Sequence, residues 1–207
     1  MTQALHFSTP DDREELARAE VYGLLAQLFY APPSPPLYEQ LQVAPTVAPT
    51  PGGMLEASWT ELVAATRRLA LDQVRDEYDA LFTGIGKPEV FLYGSFFIAG
   101  ALNEKPLAAL RHDLRALGLE RPETVPETED HLASLCEAMR YLIAGDDLAV
   151  SNLAQQQRFF NAHLRGWVEA LWTQLAGHPR ADFYRALSLF ARDFFAVEGQ
   201  AFDLLDS

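Results

Sequence analysis

The residue types that could carry chemistry gather in two short stretches. The first, Glu127-Thr-Glu-Asp-His131, puts three carboxylates and an imidazole into five residues. Such a set could ligate a metal, run acid–base chemistry or hold a guanidinium. The second, residues 88–97 (Pro-Glu-Val-Phe-Leu-Tyr-Gly-Ser-Phe-Phe), is aromatic-rich and follows a glycine–proline stop, so it reads as a flexible loop after a helix end. An aromatic loop beside an acidic helix start suits a peptide that is both apolar and cationic.

Catalytic readings fail on spacing. Di-iron helical bundles draw Glu-x-x-His pairs from two helices. Here Glu127 and His131 are four apart, no second copy exists, and neither His112 nor His163 follows a glutamate at three. His131 and Cys136 lie five residues apart, about 140° around one helix, so they cannot easily meet as a nucleophilic pair. Gly84-Ile-Gly86-Lys87-Pro88 lacks the spacing, the Ser/Thr after lysine and the preceding strand of a phosphate loop, and reads as a helix end with a turn. What remains points to binding. Two readings of other classes stand beside it: a metal-dependent helical-bundle enzyme using His131 and nearby carboxylates, and a structural adaptor with aromatics at a subunit interface.

Charge and composition narrow the partners. The chain of 207 residues carries a formal net charge of −13, and nearly half of it is apolar (49%), which is globular composition. A strongly negative protein repels nucleic acid and anionic membrane, and the densest basic cluster, Arg67-Arg68 with Arg75 nearby, is too small to reverse that. Residues 120–147 hold eight acidic and two basic side chains, so the negative charge concentrates around the first stretch. The lone Cys136 excludes a disulfide framework and a multi-thiolate metal site, and reads as a small core residue. The sequence MTQALHF is not a secretory signal, and the longest apolar run, Val90 to Leu102, is far shorter than the roughly 20 residues of a membrane span. A soluble, cytoplasmic protein is expected.

Apolar periodicity predicts helix nearly everywhere. Ser8-Thr9-Pro10 followed by Asp11, Asp12, Glu14 and Glu15 is a helix start, and Leu16, Leu24, Leu25, Leu28 and Phe29 line one face until Pro32-Pro33. Residues 44–53 (APTVAPTPGG) form a Pro/Gly connector, read as a surface loop within a single domain spanning 1–207. Residues 54–82 read as helix with a break near Leu71-Asp72, and residues 105–117 as a shorter helix closed by Gly118. Thr124-Val-Pro-Glu127 has capping-box spacing, which predicts that the next helix starts there and places Glu127, Glu129 and Asp130 in its first turns. Leu132, Leu135, Met139, Leu142 and Ile143 continue that helix to Gly145-Asp146-Asp147. A stripe from Leu153 to Leu175, broken at Gly166, and a last helix bearing Phe183, Leu187, Phe190, Phe194 and Val197 complete the chain. No alternating run appears, so the expected fold is an all-α multi-helix bundle.

Two motifs then carry a resemblance. Glu77-Tyr-Asp-Ala-Leu81-Phe82-Thr-Gly84-Ile-Gly86-Lys-Pro88, continuing to Tyr93-Gly94-Ser95, resembles the first signature of the TorD/DmsD/NarJ family of redox-enzyme maturation chaperones. Glu127-Thr-Glu-Asp130-His131, with Leu132 and Met139 behind it, resembles the second. Their order and separation match too, as does the segment from Gln157-Arg-Phe159 through His163-Leu164 and Trp167 to Phe183-Tyr184, so the likeness runs from about residue 12 to about residue 200. Leu92 and Thr128 stand where the family usually has proline.

The resemblance implies a cytoplasmic, non-enzymatic, cofactor-free chaperone of the TorD-like bundle type. Such a protein binds the precursor of a molybdopterin oxidoreductase catalytic subunit, through its twin-arginine signal peptide or as the apo subunit, and holds it for cofactor insertion before export or assembly. It would be a monomer or a domain-swapped homodimer. Carried over by position, the peptide-binding residues are Tyr78, Leu81, Phe82, Leu92, Tyr93, Asp130 and His131, with Ser95 and Glu127 in support. The signal's arginines would meet the carboxylates, and its apolar stretch would lie on Leu81, Phe82 and Tyr93.

Overall fold

The computed structural model describes residues 10–47, 53–84, 87–102 and 104–205. Ten α-helices and no strand occur among them: α1 (Pro10–Tyr30), α2 (Pro35–Val43), α3 (Glu56–Arg68), α4 (Leu71–Tyr78), α5 (Gly94–Ala99), α6 (Lys105–Ala116), α7 (Leu132–Ala144), α8 (Leu153–His163), α9 (Val168–Ala176) and α10 (Phe183–Leu204). A single π-helical turn, Asp79–Thr83, extends α4. The all-α expectation holds.

The long helices α1 and α10 organise the rest. α1 lies along α7, while α10 packs on α3, α9, α4 and α8, and the short α5 rests on α6 and α9. Both long helices send aromatic side chains into one contiguous core. Tyr22 meets Phe194 edge-on at 4.9 Å, and Phe29 packs near Trp172 and Tyr184. α1 also buries a charge pair, in which Arg18 donates to both carboxylate oxygens of Glu198 on α10.

Local sequence explains most boundaries. Ser34 caps α2 by accepting from the Leu37 amide, with Pro35 in the first turn, a start that the Pro32-Pro33 stop hides in the sequence. α3 and α4 are separated at Leu69-Ala70, within two residues of the expected break, and the Tyr38 hydroxyl donates to the carbonyls of Thr66 and Leu69 there. Gly118, at a φ of 71°, closes α6 as expected. At Gly84 any side chain would collide with the Lys87 carbonyl, since a Cβ would lie 2.8 Å from that oxygen. The start of α10 is held by Glu77, whose carboxylate accepts from the amides of Asp182, Phe183 and Tyr184 at 2.8–3.1 Å.

Two expectations are corrected. The capping-box spacing of Thr124 to Glu127 does not start a helix, because α7 begins at Leu132 with His131 as its cap. Residues 119–131 are irregular instead, folded by turns such as Val125 onto Pro122 and His131 onto Thr128. The Glu127 side chain that would close the box accepts instead from the Tyr93 hydroxyl. The stretch 88–97 is not simply a loop either. Its second half enters α5, and its aromatics are engaged: Phe91 stacks on Phe96 at 4.2 Å, and Phe97 on Trp167 at 5.4 Å. Ser8 and Thr9 of the first expected helix start, residues 48–52 of the Pro/Gly connector, and Ile85 and Gly86 of the glycine turn lie outside the described residues.

Candidate functional site

The fold brings the two sequence stretches together through the backbone. Tyr93 and His131 form an isolated antiparallel bridge, in which the Gly94 amide donates to the Asp130 carbonyl at 2.9 Å and the Leu132 amide to the Leu92 carbonyl at 2.7 Å. One side of this bridge leads into α5 and the other into α7, so two helix starts share one anchor.

Asp130 locks the anchor and is not an open ligand. It is 3% exposed, one carboxylate oxygen accepts from the Ser95 amide at 2.9 Å, and the other accepts from the Thr128 hydroxyl at 2.6 Å. Ser95 is equally buried, and its Oγ has no hydrogen-bond partner among the described residues. Thr128 therefore supplies, through its hydroxyl, a hydrogen bond to Asp130.

His131 caps α7, its Nδ1 accepting from the Ala133 amide at 3.2 Å. The ring is 4% exposed and lies edge-on to Tyr93 at 5.0 Å and to Tyr30 at 6.5 Å. Burial pushes its pKa down to about 4, against the opposing pull of Glu127 and Asp130.

Glu127 and Tyr93 form the open part. The Tyr93 hydroxyl donates to one Glu127 oxygen, and burial together with that carboxylate raises the phenol well above its ordinary pKa. Glu127 pairs with no cation among the described residues. Glu129, two residues on, is bound by Arg111 at 2.9 Å and lies 3.5 Å from Arg121; against the cost of burial, a backbone hydrogen bond and these cations hold its carboxyl below the ordinary range.

The remaining sequence-derived residues divide by depth. Tyr78 is buried and donates to the Tyr30 carbonyl at 2.7 Å, fixing the end of α1. Phe82 is half-buried, edge-on to Tyr184 and Tyr78 at 5.0 and 5.1 Å. Leu81 and Leu92 are 0% and 3% exposed and belong to the core, so here they carry the surface above them instead of forming it. Sequence reasoning did not single out Tyr30, which is 44% exposed and reaches His131. Its place at the end of an apolar helix face, just before Ala31-Pro32, gave no sign of that.

Tyr30 also walls a cavity of about 420 Å3 between α1, α7 and the 119–129 loop. Ala26, Leu114, Leu119, Ala133 and Tyr141 make most of its surface apolar, and Glu120, Arg121, Glu129 and Glu137 also line it. Among the described residues no three His, Cys, Asp or Glu side chains converge to hold a metal ion, and no helix is long and apolar enough to cross a membrane.

The chain matches the family model described as the nitrate reductase delta subunit over residues 52–173, more than half its length and including both sequence stretches. No curated protein matches it.

Proposed function

The chain belongs to the nitrate reductase delta subunit family, whose members are chaperones of molybdoenzyme maturation, and we propose that it binds the precursor of a molybdopterin oxidoreductase catalytic subunit at the Tyr93–His131 bridge. The observation that carries this reading is the bridge itself. It sets Glu127, which pairs with no cation among the described residues, against the half-exposed Tyr93, whose ring shares His131 with Tyr30, and Tyr30 also lines the apolar cavity.

A twin-arginine signal peptide has the chemistry this surface would accept. A guanidinium would pair with Glu127, where a free carboxylate oxygen offers a charge-assisted bond. The apolar stretch would lie against Tyr30 and in the cavity beside it, not on Leu81. Asp130, Ser95, Tyr78, Leu81 and Leu92 would act from beneath by holding the bridge in shape, and Phe82 would border the site. In this reading the chain works in the cytoplasm, catalyses nothing and releases its client after cofactor insertion.

Calorimetry with a synthetic peptide bearing two adjacent arginines before a leucine-rich stretch tests the site. The expected result is one peptide bound per chain, weakened by Tyr93→Ala and by added salt. A peptide that binds no better than a scrambled, arginine-free version sinks the assignment. Recovery of a permanent complex at fixed stoichiometry with cofactor-loaded enzyme would favour a subunit over a chaperone.

A further inference from the structure

We propose that the exposed face of α6, together with Arg158 of α8, is a docking surface for an acidic helix of another protein. It shares no residue with the Tyr93–His131 bridge and carries the opposite charge, so the inference stands whether or not the bridge takes a signal peptide.

Its cations set this face apart. The chain carries a net charge of −13, and most of its arginines are held in ion pairs by its own acids. α6 reverses that balance, with Lys105, Arg111 and Arg115 against the single acid Asp113. Arg111 turns to Glu129, and Asp113 lies 2.8 Å from His163 Nε2. The side chains of Lys105, His112, Arg115 and Arg158 are exposed, and none makes an ion pair or a hydrogen bond among the described residues. A protein that pairs most of its cations leaves these open.

The face is also shaped to receive a helix. Leu107 and Leu110 are buried, while Lys105, Ala108, Ala109, His112, Arg115 and Ala116 recur at helical spacing on the outside. Only alanine and His112 lie between the two permanent cations of this face, so another helix can approach closely. Ala116 also lines a cleft of about 100 Å3, whose other walls include Leu117 and, from α8, Arg158 and Phe159. That volume takes one apolar side chain, which gives the charged face an anchor.

The length of the face chooses the partner. α6 has 12 residues, about 18 Å of helix. Exposed acids stand at both ends, Glu104 before the helix and Glu120 and Glu123 beyond Gly118. A nucleic acid or an anionic bilayer would run past the cations onto these carboxylates, which repel it. A few helical turns bearing glutamate or aspartate along one face, with a leucine-sized side chain among them, meet the cations and end there.

Fluorescence anisotropy at low salt tests this with a labelled helical peptide of about 20 residues, in which glutamate lines one face around a single leucine. Wild type is expected to bind it, and added salt to weaken binding. Lys105→Glu combined with Arg115→Glu should lower affinity about tenfold, and Ala116→Phe, which crowds the cleft, about threefold. Both leave Tm unchanged, because the residues are exposed. The charge-reversed variant should still bind the arginine-pair peptide like wild type, so the two surfaces fail separately. No binding by wild type, equal binding of a peptide with lysine in place of glutamate, or undiminished affinity in the charge-reversed variant overturns the proposal. Equal or tighter binding of a thymidine oligonucleotide or of phosphatidylglycerol vesicles, lost in the same variant, overturns it too, since the face would then read phosphate instead of an acidic helix.

Discussion

Between α1 and α10, Arg18 donates to both oxygens of Glu198 at 2.7 and 2.8 Å, Tyr22 adds a third hydrogen bond, and Glu15 takes the remaining guanidinium nitrogen. At the Tyr93–His131 bridge another buried polar cluster joins two helix starts, with Asp130 serving the Ser95 amide and the Thr128 hydroxyl. Both clusters contain acids that are almost fully buried, and both tie together segments far apart in sequence. They differ in closure. Every oxygen of Glu198 is spoken for by its own chain, whereas the bridge leaves one oxygen of Glu127 without a partner among the described residues. A closed network holds the fold. An open one of the same construction holds the fold and keeps one valence for something else.

The sharpest way to break this contrast is to open the closed cluster. Arg18→Ala leaves Glu198, 2% exposed, with Tyr22 alone for a partner. Stranding a buried charge costs about 3–5 kcal/mol, which urea unfolding would report as a lowered midpoint. Peptide affinity should be unchanged wherever the variant is folded. A loss under about 1 kcal/mol would mean that closure contributes little.

Asp130→Ala should act on both properties. It orphans the buried Ser95 amide and the Thr128 hydroxyl, at a cost of up to about 3 kcal/mol in stability. If Asp130 acts only by pinning the bridge, its effect on peptide affinity should be rescued in part by Asp130→Asn, which keeps an acceptor without the charge. If Asp130→Asn abolishes binding while leaving Tm untouched, Asp130 meets the ligand directly.

The bridge should also register pH. His131 titrates near 6.5 when unfolded and near 4 when folded, so below 6.5 the unfolded chain takes up a proton that the native chain refuses. The stabilising contribution is thus complete above pH 6.5 and is lost as pH falls toward 4. From pH 7 to pH 5 the loss is about 2 kcal/mol by that linkage. His163 is shifted the same way by burial, with Asp113 opposing, so the His131 share is the part that disappears in His131→Asn. Equal pH slopes for wild type and variant would show that His131 is not the group responsible.

Much of this organisation can be read from the chain, and the parts that cannot share a cause. Helices α1, α3, α4, α6 and α7 through α10 follow from apolar periodicity and from local stops such as Gly118 and Gly145. α2 escapes because the Pro32-Pro33 stop hides its start, and α5 because six residues are too few for a period to show. The false helix start at Thr124 is more instructive. Its spacing is right for a capping box, but the glutamate that would complete the box is drawn to Tyr93, 34 residues away in sequence. Long-range contacts of that kind also decide depth within the site. Asp130, Glu129 and Glu127 look equivalent in the sequence, and only the positions of Ser95, Arg111 and Tyr93 make the first a pin, the second a paired ion and the third an open acceptor.

That three-way division yields the smallest and most selective test. Glu127→Gln still offers an oxygen to the Tyr93 hydroxyl but carries no charge, so stability should stay within about 0.5 kcal/mol. Affinity for the arginine-pair peptide should fall about tenfold, which is about 1.4 kcal/mol, and its salt dependence should flatten. Glu129→Gln is the matched control, with the same chemistry two residues away on a carboxylate that Arg111 and Arg121 already neutralise. It should leave affinity within about twofold, because a guanidinium arriving there would have to displace one already bound. Equal losses in the two variants would mean that the peptide senses the summed charge of the loop instead of one open oxygen, and the distinction between the closed and open clusters would then carry no functional weight.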